Sequence, residues 1–260
     1  MSEPRYEVYA LKYAHHARRA SENFIGGDPH DGPMPLDYYV WLIRGDGREI
    51  VVDTGFSAAM AAKRGRDHLR CPAAGLRLLG VDAARVADVV ITHLHYDHVG
   101  NFELFPRAAF HLQEREMRYA TGRYMCSECF RGAFEAEDVA GMVRRVYDGR
   151  VRFHDGDAQL AAGISLHLVG GHTMGLQVVR VATRSGPLVL ASDASHFYAN
   201  FEEVRPFPIV WSVAEMIDGY ERMRALAGAS QRIIPGHDPL VLQRFPAASP
   251  PLEGIAARLD

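Results

Sequence analysis

The sequence predicts an α/β fold in which strands lead and helices cover two sheet layers. Three observations carry that expectation. Short apolar stretches at 38–43, 49–53, 89–91, 165–169, 177–182 and 188–191 have strand length and are bounded by turn residues. Helical periodicity lies between and after them, most clearly from Ser212 to Gly228. No interior linker divides the 260 residues, so a single domain, 1–260, is expected.

Taken in order, the first forty residues read as irregular. Gly26-Gly27-Asp28-Pro29-His30-Asp31-Gly32-Pro33-Met34-Pro35 is dense in turn formers. Residues 1–37 are therefore expected to be an arm or loop, packed over a site through Phe24, Ile25, Met34 and Leu36. Gly45-Asp46-Gly47 joins the strands at 38–43 and 49–53 as a hairpin turn, and the second strand runs into Asp53-Thr54-Gly55. Small residues suit a helix at 57–63, and Pro72 can open another towards Gly80. Val89-Val90-Ile91 is a short β-branched strand, and 109–112 is another. Residues 113–150 read as helical and amphipathic, a cap inserted over a site. The cap contains Cys126 and Cys129, a lone C-x-x-C without a second pair, read as two ordinary thiols on a helix.

Downstream, the strand at 188–191 runs into Ser192-Asp193. Two apolar strands that each lead to an aspartate, Asp53 and Asp193, suggest a duplicated β-rich unit. Ser212-Val213-Ala214-Glu215 has capping-box spacing and opens a helix that Gly228 ends. A strand at 232–234 then delivers the turn Pro235-Gly236-His237-Asp238-Pro239.

Composition excludes several classes. A formal charge of −3 without a basic block gives no footprint for nucleic acid. No run reaches membrane-span length, and the start lacks a charged n-region followed by an apolar one. Three cysteines argue against a disulfide framework. A cytoplasmic protein is the expectation.

Seven residues concentrate metal-binding chemistry. His93, His95, Asp97 and His98 stand at a strand end in Thr92-His93-Leu94-His95-Tyr96-Asp97-His98; His172, Asp193 and His237 follow. Imidazole and carboxylate donors suit zinc and similar divalent metals. Five histidines and two aspartates exceed one tetrahedral site but fit two metals sharing a bridging carboxylate. Residues two apart in extended chain point the same way, so His93 and His95 can grip one metal. Asp97 and His98 can face a second once the chain turns. His172 and His237 each follow a glycine, which lets the backbone turn sharply and bring the imidazole inward. His15, His16, His68, His111, His154 and His167 show no partners in the sequence and read as surface or strand histidines, and His30 as a loop residue.

The run His-x-His-x-Asp-His, the His after Gly171, the Asp after an apolar strand and the late Gly236-His237 resemble the metallo-β-lactamase superfamily over residues 38–240. Ser192-Asp193-Ala194-Ser195, the downstream Asn200-Phe201-Glu202 and the chain length are similar to the N-acyl homoserine lactone lactonases. The resemblance implies an αβ/βα four-layer sandwich with two Zn2+ at one edge, Fe, Mn or Co being alternatives. It implies that His93, His95 and His172 hold one metal, that Asp97, His98 and His237 hold the other, and that Asp193 bridges them. Asp53 would support the ligands from behind.

The activity implied is the opening of a lactone by a hydroxide shared between the metals, with Asp97 carrying a proton. A small-molecule substrate and a homodimer go with it. In the typical lactonase a tyrosine three residues after the bridging aspartate bonds the substrate carbonyl. Here that position is His196 and the nearest tyrosine is Tyr198, so both are candidate catalytic donors. This departure keeps open another lactone, a cyclic amide, a thioester or a phosphodiester as substrate. His95 stands where diiron flavoproteins of the superfamily carry glutamate, which disfavours an iron-loaded redox protein. The intact ligand set disfavours a non-catalytic binding module.

Overall fold

The computed structural model describes residues 4–260; residues 1–3 of the expected arm lie outside it. The first sheet contains β1 (Glu7–His16), β2 (Leu36–Gly45), β3 (Arg48–Val52), β4 (Asp67–His68), β5 (Asp88–Val90), β6 (Ala109–Gln113) and β7 (Val151–His154). The second contains β8 (Ala158–Ala161), β9 (Ile164–Leu168), β10 (Gln177–Thr183), β11 (Gly186–Ser192) and β12 (Ile233–Pro235). A last strand, β13 (Ala256–Arg258), returns to the first sheet, whose order is β13-β1-β2-β3-β5-β6-β7 with β4 on β1. The second sheet runs β12-β11-β10-β9-β8.

The helices are α1 (Ala58–Arg64), α2 (Pro72–Leu78), α3 (Tyr96–Val99), α4 (Glu114–Ala120), α5 (Glu128–Arg131), α6 (Ala136–Tyr147), α7 (Tyr198–Glu202), α8 (Val213–Ala227) and α9 (Leu240–Arg244). One buried cluster joins Val8, Trp41 and Val52 of the first sheet to Leu166, Val178 and Leu190 of the second, with Met216 and Tyr220 of α8. The other packs the first sheet against Ala61, Leu76 and Met142 of α1, α2 and α6. Helices thus cover the outer faces of two stacked sheets, the αβ/βα sandwich that the resemblance implied.

The reading of 1–37 as an arm or loop is corrected. β1 is central, paired with both β2 and β13, and Val8, Ala10, Leu11 and Tyr13 are buried. Val8, Tyr9 and Tyr13 favour a strand, but Ala10, Lys12 and Ala14 dilute the signal, and pairing on both sides supplies the rest. Among the described residues of that span only 4–6 and 17–35 lie outside the strands, and in the second stretch Arg19 pairs with Asp31 at 2.7 Å across the turn-rich segment. The hairpin turn forms as expected, with Asp46 and Gly47 both at positive φ.

The strand ends position the site. β3, β5 and β6 run parallel, as do β11 and β12, so their C-terminal ends share one edge of the sandwich. Open sheets place ligands beyond such ends. Among the described residues no helix is long and apolar enough to cross a membrane.

Candidate metal centre

Beyond β5 the chain extends through His93 and then enters α3, with His95 as its N-cap and Asp97 and His98 inside it. The loop after β9 brings in His172, β11 leads to Asp193, and β12 leads to His237. The two glycines before histidines act differently. Gly171 has φ +82°, and a Cβ there would lie 2.6 Å from the Met216 Cα. Gly236 shows no positive φ; its lack of a side chain admits Asp193, whose Oδ1 would be 2.8 Å from a Cβ. Close approach, rather than a sharp turn, explains the second glycine.

All seven side chains are buried and converge. His95 Nδ1 lies 3.0 Å from His93 Nε2 and 2.9 Å from His172 Nε2. Asp193 Oδ2 is 3.3 Å from His172 Nε2 and 3.9 Å from His93 Nε2. Its other oxygen, Oδ1, is 2.9 Å from His237 Nε2 and 3.3 Å from His98 Nε2. Asp97 Oδ2 completes this second set at 3.6 Å from His98 Nε2 and 3.8 Å from His237 Nε2.

Hydrogen bonding alone does not explain these distances. A proton on His95 Nδ1 could serve only one of the two nitrogens beside it, and His98 Nε2 and Asp193 Oδ1 are buried without a hydrogen-bond partner. Metal–nitrogen bonds of about 2.0–2.1 Å place neighbouring donors about 3.3 Å apart, which is the spacing seen. The residues present therefore fit divalent-cation binding, with one oxygen of Asp193 turned towards each of two donor sets.

The far ring nitrogens orient the donors. His172 Nδ1 donates to the Ile209 carbonyl at 2.7 Å, and His237 Nδ1 to the Asp37 carbonyl at 2.9 Å, which leaves each Nε2 lone pair facing inward. His98 Nδ1 meets Asp53 Oδ2 at 2.7 Å. Asp53 also accepts the Thr92 N–H and hydroxyl, each at 2.8 Å, and Thr92 Oγ1 lies 2.9 Å from Ser192 Oγ. Asp53 and Ser192 sit at φ 63° and 46°, a region costly for non-glycine residues and held here by these buried bonds.

Electrostatics divide the cluster. Burial first, then neighbouring imidazoles, holds His93 and His95 well below their ordinary values. Burial also lowers His172. Burial opposes charge on His98 too, but Asp193, Asp97 and Asp53 overcome it and raise its imidazole well above the usual range. His237 is raised in the same way, chiefly by Asp193.

The two candidate donors separate. His196 lines the cavity, with Nε2 3.0 Å from Asp193 Oδ2 and its ring stacked on Phe207 at 3.5 Å. Burial pushes it down to about 3, so its ring is neutral beside the Asp193 carboxylate. Tyr198 is not brought into the cluster, which corrects its place among the catalytic candidates. As the first residue of α7 it turns into the core beneath Arg244, and its N–H donates to Asp238 Oδ2.

The other histidines all lie in strands except His30, which is exposed, but the absence of partners is corrected for four, His154 among them, whose Nε2 lies 3.1 Å from His111 Nδ1. His15 pairs with Asp37, His111 with Asp88 and His167 with Asp157, at 2.7, 3.0 and 2.9 Å. Cys126 and Cys129 are exposed, on a 3-10 turn and α5.

Sequence reasoning missed Glu116. This fully buried carboxylate accepts the Leu94 N–H at 2.9 Å, the Thr173 hydroxyl at 2.6 Å and the Gly175 N–H at 3.0 Å. It joins the loop of His93 and His95 to that of His172. Glu215 adds a second tie: Ser212 caps its N–H as expected, but its carboxylate accepts the Gly171 N–H at 3.4 Å instead of returning to Ser212.

The cluster opens into a cavity of about 230 Å³ lined by Tyr38, Tyr96, His196 and Phe207. Gly132 and Arg64 also line an adjoining apolar cavity of about 970 Å³, walled by Met125, Phe134, Val139 and Val143.

The metallo-beta-lactamase superfamily model matches residues 34–244. The N-acyl homoserine lactonase AttM of Azorhizobium caulinodans is 31% identical over 176 residues, 64% of this chain and 63% of that protein. AttM of Rhizobium johnstonii is 30% identical over 183 residues, 66% of each chain. The chain thus spans slightly under two thirds of the length of these relatives. A solved N-acyl homoserine lactone hydrolase with N-hexanoyl-L-homoserine at its catalytic metal centre superposes with a TM-score of 0.75 at 20% identity, over 92% of this chain and 94% of that one.

Proposed function

The chain belongs to the metallo-β-lactamase superfamily, and we propose that it is a dinuclear zinc hydrolase that opens lactone rings. N-acyl homoserine lactones, on which the AttM relatives act by name, are the first substrates to test. The observation that carries the reading is Asp193, which offers one oxygen to each of two sets of inward-facing donors. Bound divalent cations, zinc first and Fe, Mn or Co as alternatives, would polarise a carbonyl oxygen and acidify water.

The chain's own residues supply the rest. His93, His95 and His172 hold one cation, Asp97, His98 and His237 the other. Asp53 and the Ile209 and Asp37 carbonyls fix the rings that do so. His196, whose Nε2 lies 3.0 Å from Asp193 Oδ2, keeps the bridging carboxylate oriented, while its stacked ring walls the cavity. Asp97, at the cavity lining, carries a proton towards the leaving alkoxide. The 113–150 segment acts as the cap, and the apolar cavity it helps to form takes an acyl chain.

Proton release in weak buffer, with metal-loaded protein and short- and long-chain acyl homoserine lactones, tests this. Fast release abolished by a chelator is expected. No release from protein holding close to two metals per chain would reject acyl homoserine lactones as substrates.

A further inference from the structure

The lining of the cavity beside the metal cluster includes cationic side chains. Arg18, just past β1, and Arg66, just ahead of β4, both line it and are both partly buried. Arg18 Nε donates to Asn23 Oδ1 at 2.8 Å, and its guanidinium lies 5.2 Å over the Phe207 ring. Arg66 Nε donates to the Tyr96 hydroxyl at 3.3 Å, and Nη1 to the Arg64 carbonyl at 2.7 Å. Among the described residues neither forms an ion pair with a carboxylate. Arg64, which lines the same cavity, differs: Glu135 neutralises it at 2.7 Å.

Two guanidiniums partly withdrawn from water without a counter-ion are costly unless a ligand supplies one. The acidic residues of the cavity lining are Asp97 and Asp193, both facing the histidines. With cations bound there, their charge is offset and the arginine wall faces a positive cavity. The neighbouring His16 reports the same field, since burial first and then Arg66 and Arg18 hold it down at about 4.

Both arginines reach the cluster through short contacts. Arg66 bonds Tyr96, which stands between His95 and Asp97 in sequence. Arg18 covers Phe207, which stacks on His196, and His196 meets Asp193. The Tyr38 hydroxyl, 3.4 Å from that of Tyr96, adds a neutral donor.

We propose that Arg18 and Arg66 form a subsite for a carboxylate carried by the substrate, so that the preferred lactone is anionic. This rests on the ring-opening reading of the metal centre. Planar guanidiniums suit a carboxylate because they can offer paired N–H donors. An N-acyl homoserine lactone is uncharged until its ring opens, so it would leave this wall unmatched.

The test compares 5-oxotetrahydrofuran-2-carboxylate with its methyl ester on the metal-loaded full-length chain. The acid should have at least tenfold higher kcat/KM. Arg18→Gln and Arg66→Gln should each bring the acid-to-ester ratio towards one, and Arg66→Lys should restore part of it. Cyclopentanecarboxylate, which has no ester to open, gives a binding readout by calorimetry and should bind at least tenfold more weakly to the Arg66→Gln variant. If lactones are opened with no preference for the acid, the subsite is overturned and ring opening stands. If no lactone is opened but cyclopentanecarboxylate binding depends on the arginines, ring opening fails and the subsite stands. Equal binding of that carboxylate by wild type and both variants overturns the subsite.

Discussion

The Glu116 carboxylate accepts the Thr173 hydroxyl at 2.6 Å and so fastens α4 to the loop that carries His172. Its other bonds reach the Leu94 and Gly175 N–H groups. Glu116→Ala would strand three buried donors, at about 1–3 kcal/mol each before relaxation. We expect a stability loss of about 3 kcal/mol in urea unfolding and weaker metal binding in chelator competition. Unchanged metal affinity would mean that the two loops hold their positions without this tie.

Asp193 faces both donor sets, so its loss should be felt by both. Asp193→Ala should lower metal content from close to two per chain and cut kcat/KM at least a hundredfold. Elemental analysis and lactone turnover on one preparation check this. Full metal loading and turnover would remove the bridging role.

His196→Phe keeps a ring to stack on Phe207 but removes the imidazole nitrogen that lies 3.0 Å from Asp193 Oδ2. Partners that orient metal ligands typically contribute 10–100-fold to metal affinity or activity. A loss in that range is expected, with little change in thermal stability. If both metal affinity and turnover stay at wild-type values, His196 is only a wall of the cavity.

The centre was largely legible in the sequence because metal ligation demands rare residue types at tight spacing. His93 to His98 lie within one strand end and one helical turn, and the strand before them is plain in Val89-Val90-Ile91. What escaped depends on distant partners. Glu116 looks like any helix-surface glutamate until the fold brings Thr173, 57 residues away, against it. β1 escaped because its conformation comes from β2 and β13, the latter near the other end of the chain. Tyr198 misled because α7 begins at that residue and turns its ring away from the side His196 faces.

Asp138 supplies a pH dependence separate from the metal centre. It lies in the first turn of α6, where burial first and then Glu135 push its carboxyl up to about 6. The unfolded chain titrates near 3.8, so between these values the folded state binds the extra proton. Stability is then greatest below the unfolded value and falls as pH rises through the folded one. Because the side chain is partly exposed, screening limits the loss to about 1 kcal/mol. Asp138→Asn imitates the protonated form and should raise the urea midpoint at pH 7.5 while changing it little at pH 4. A variant with the same offset from wild type at both pH values would show that Asp138 titrates normally in the folded protein.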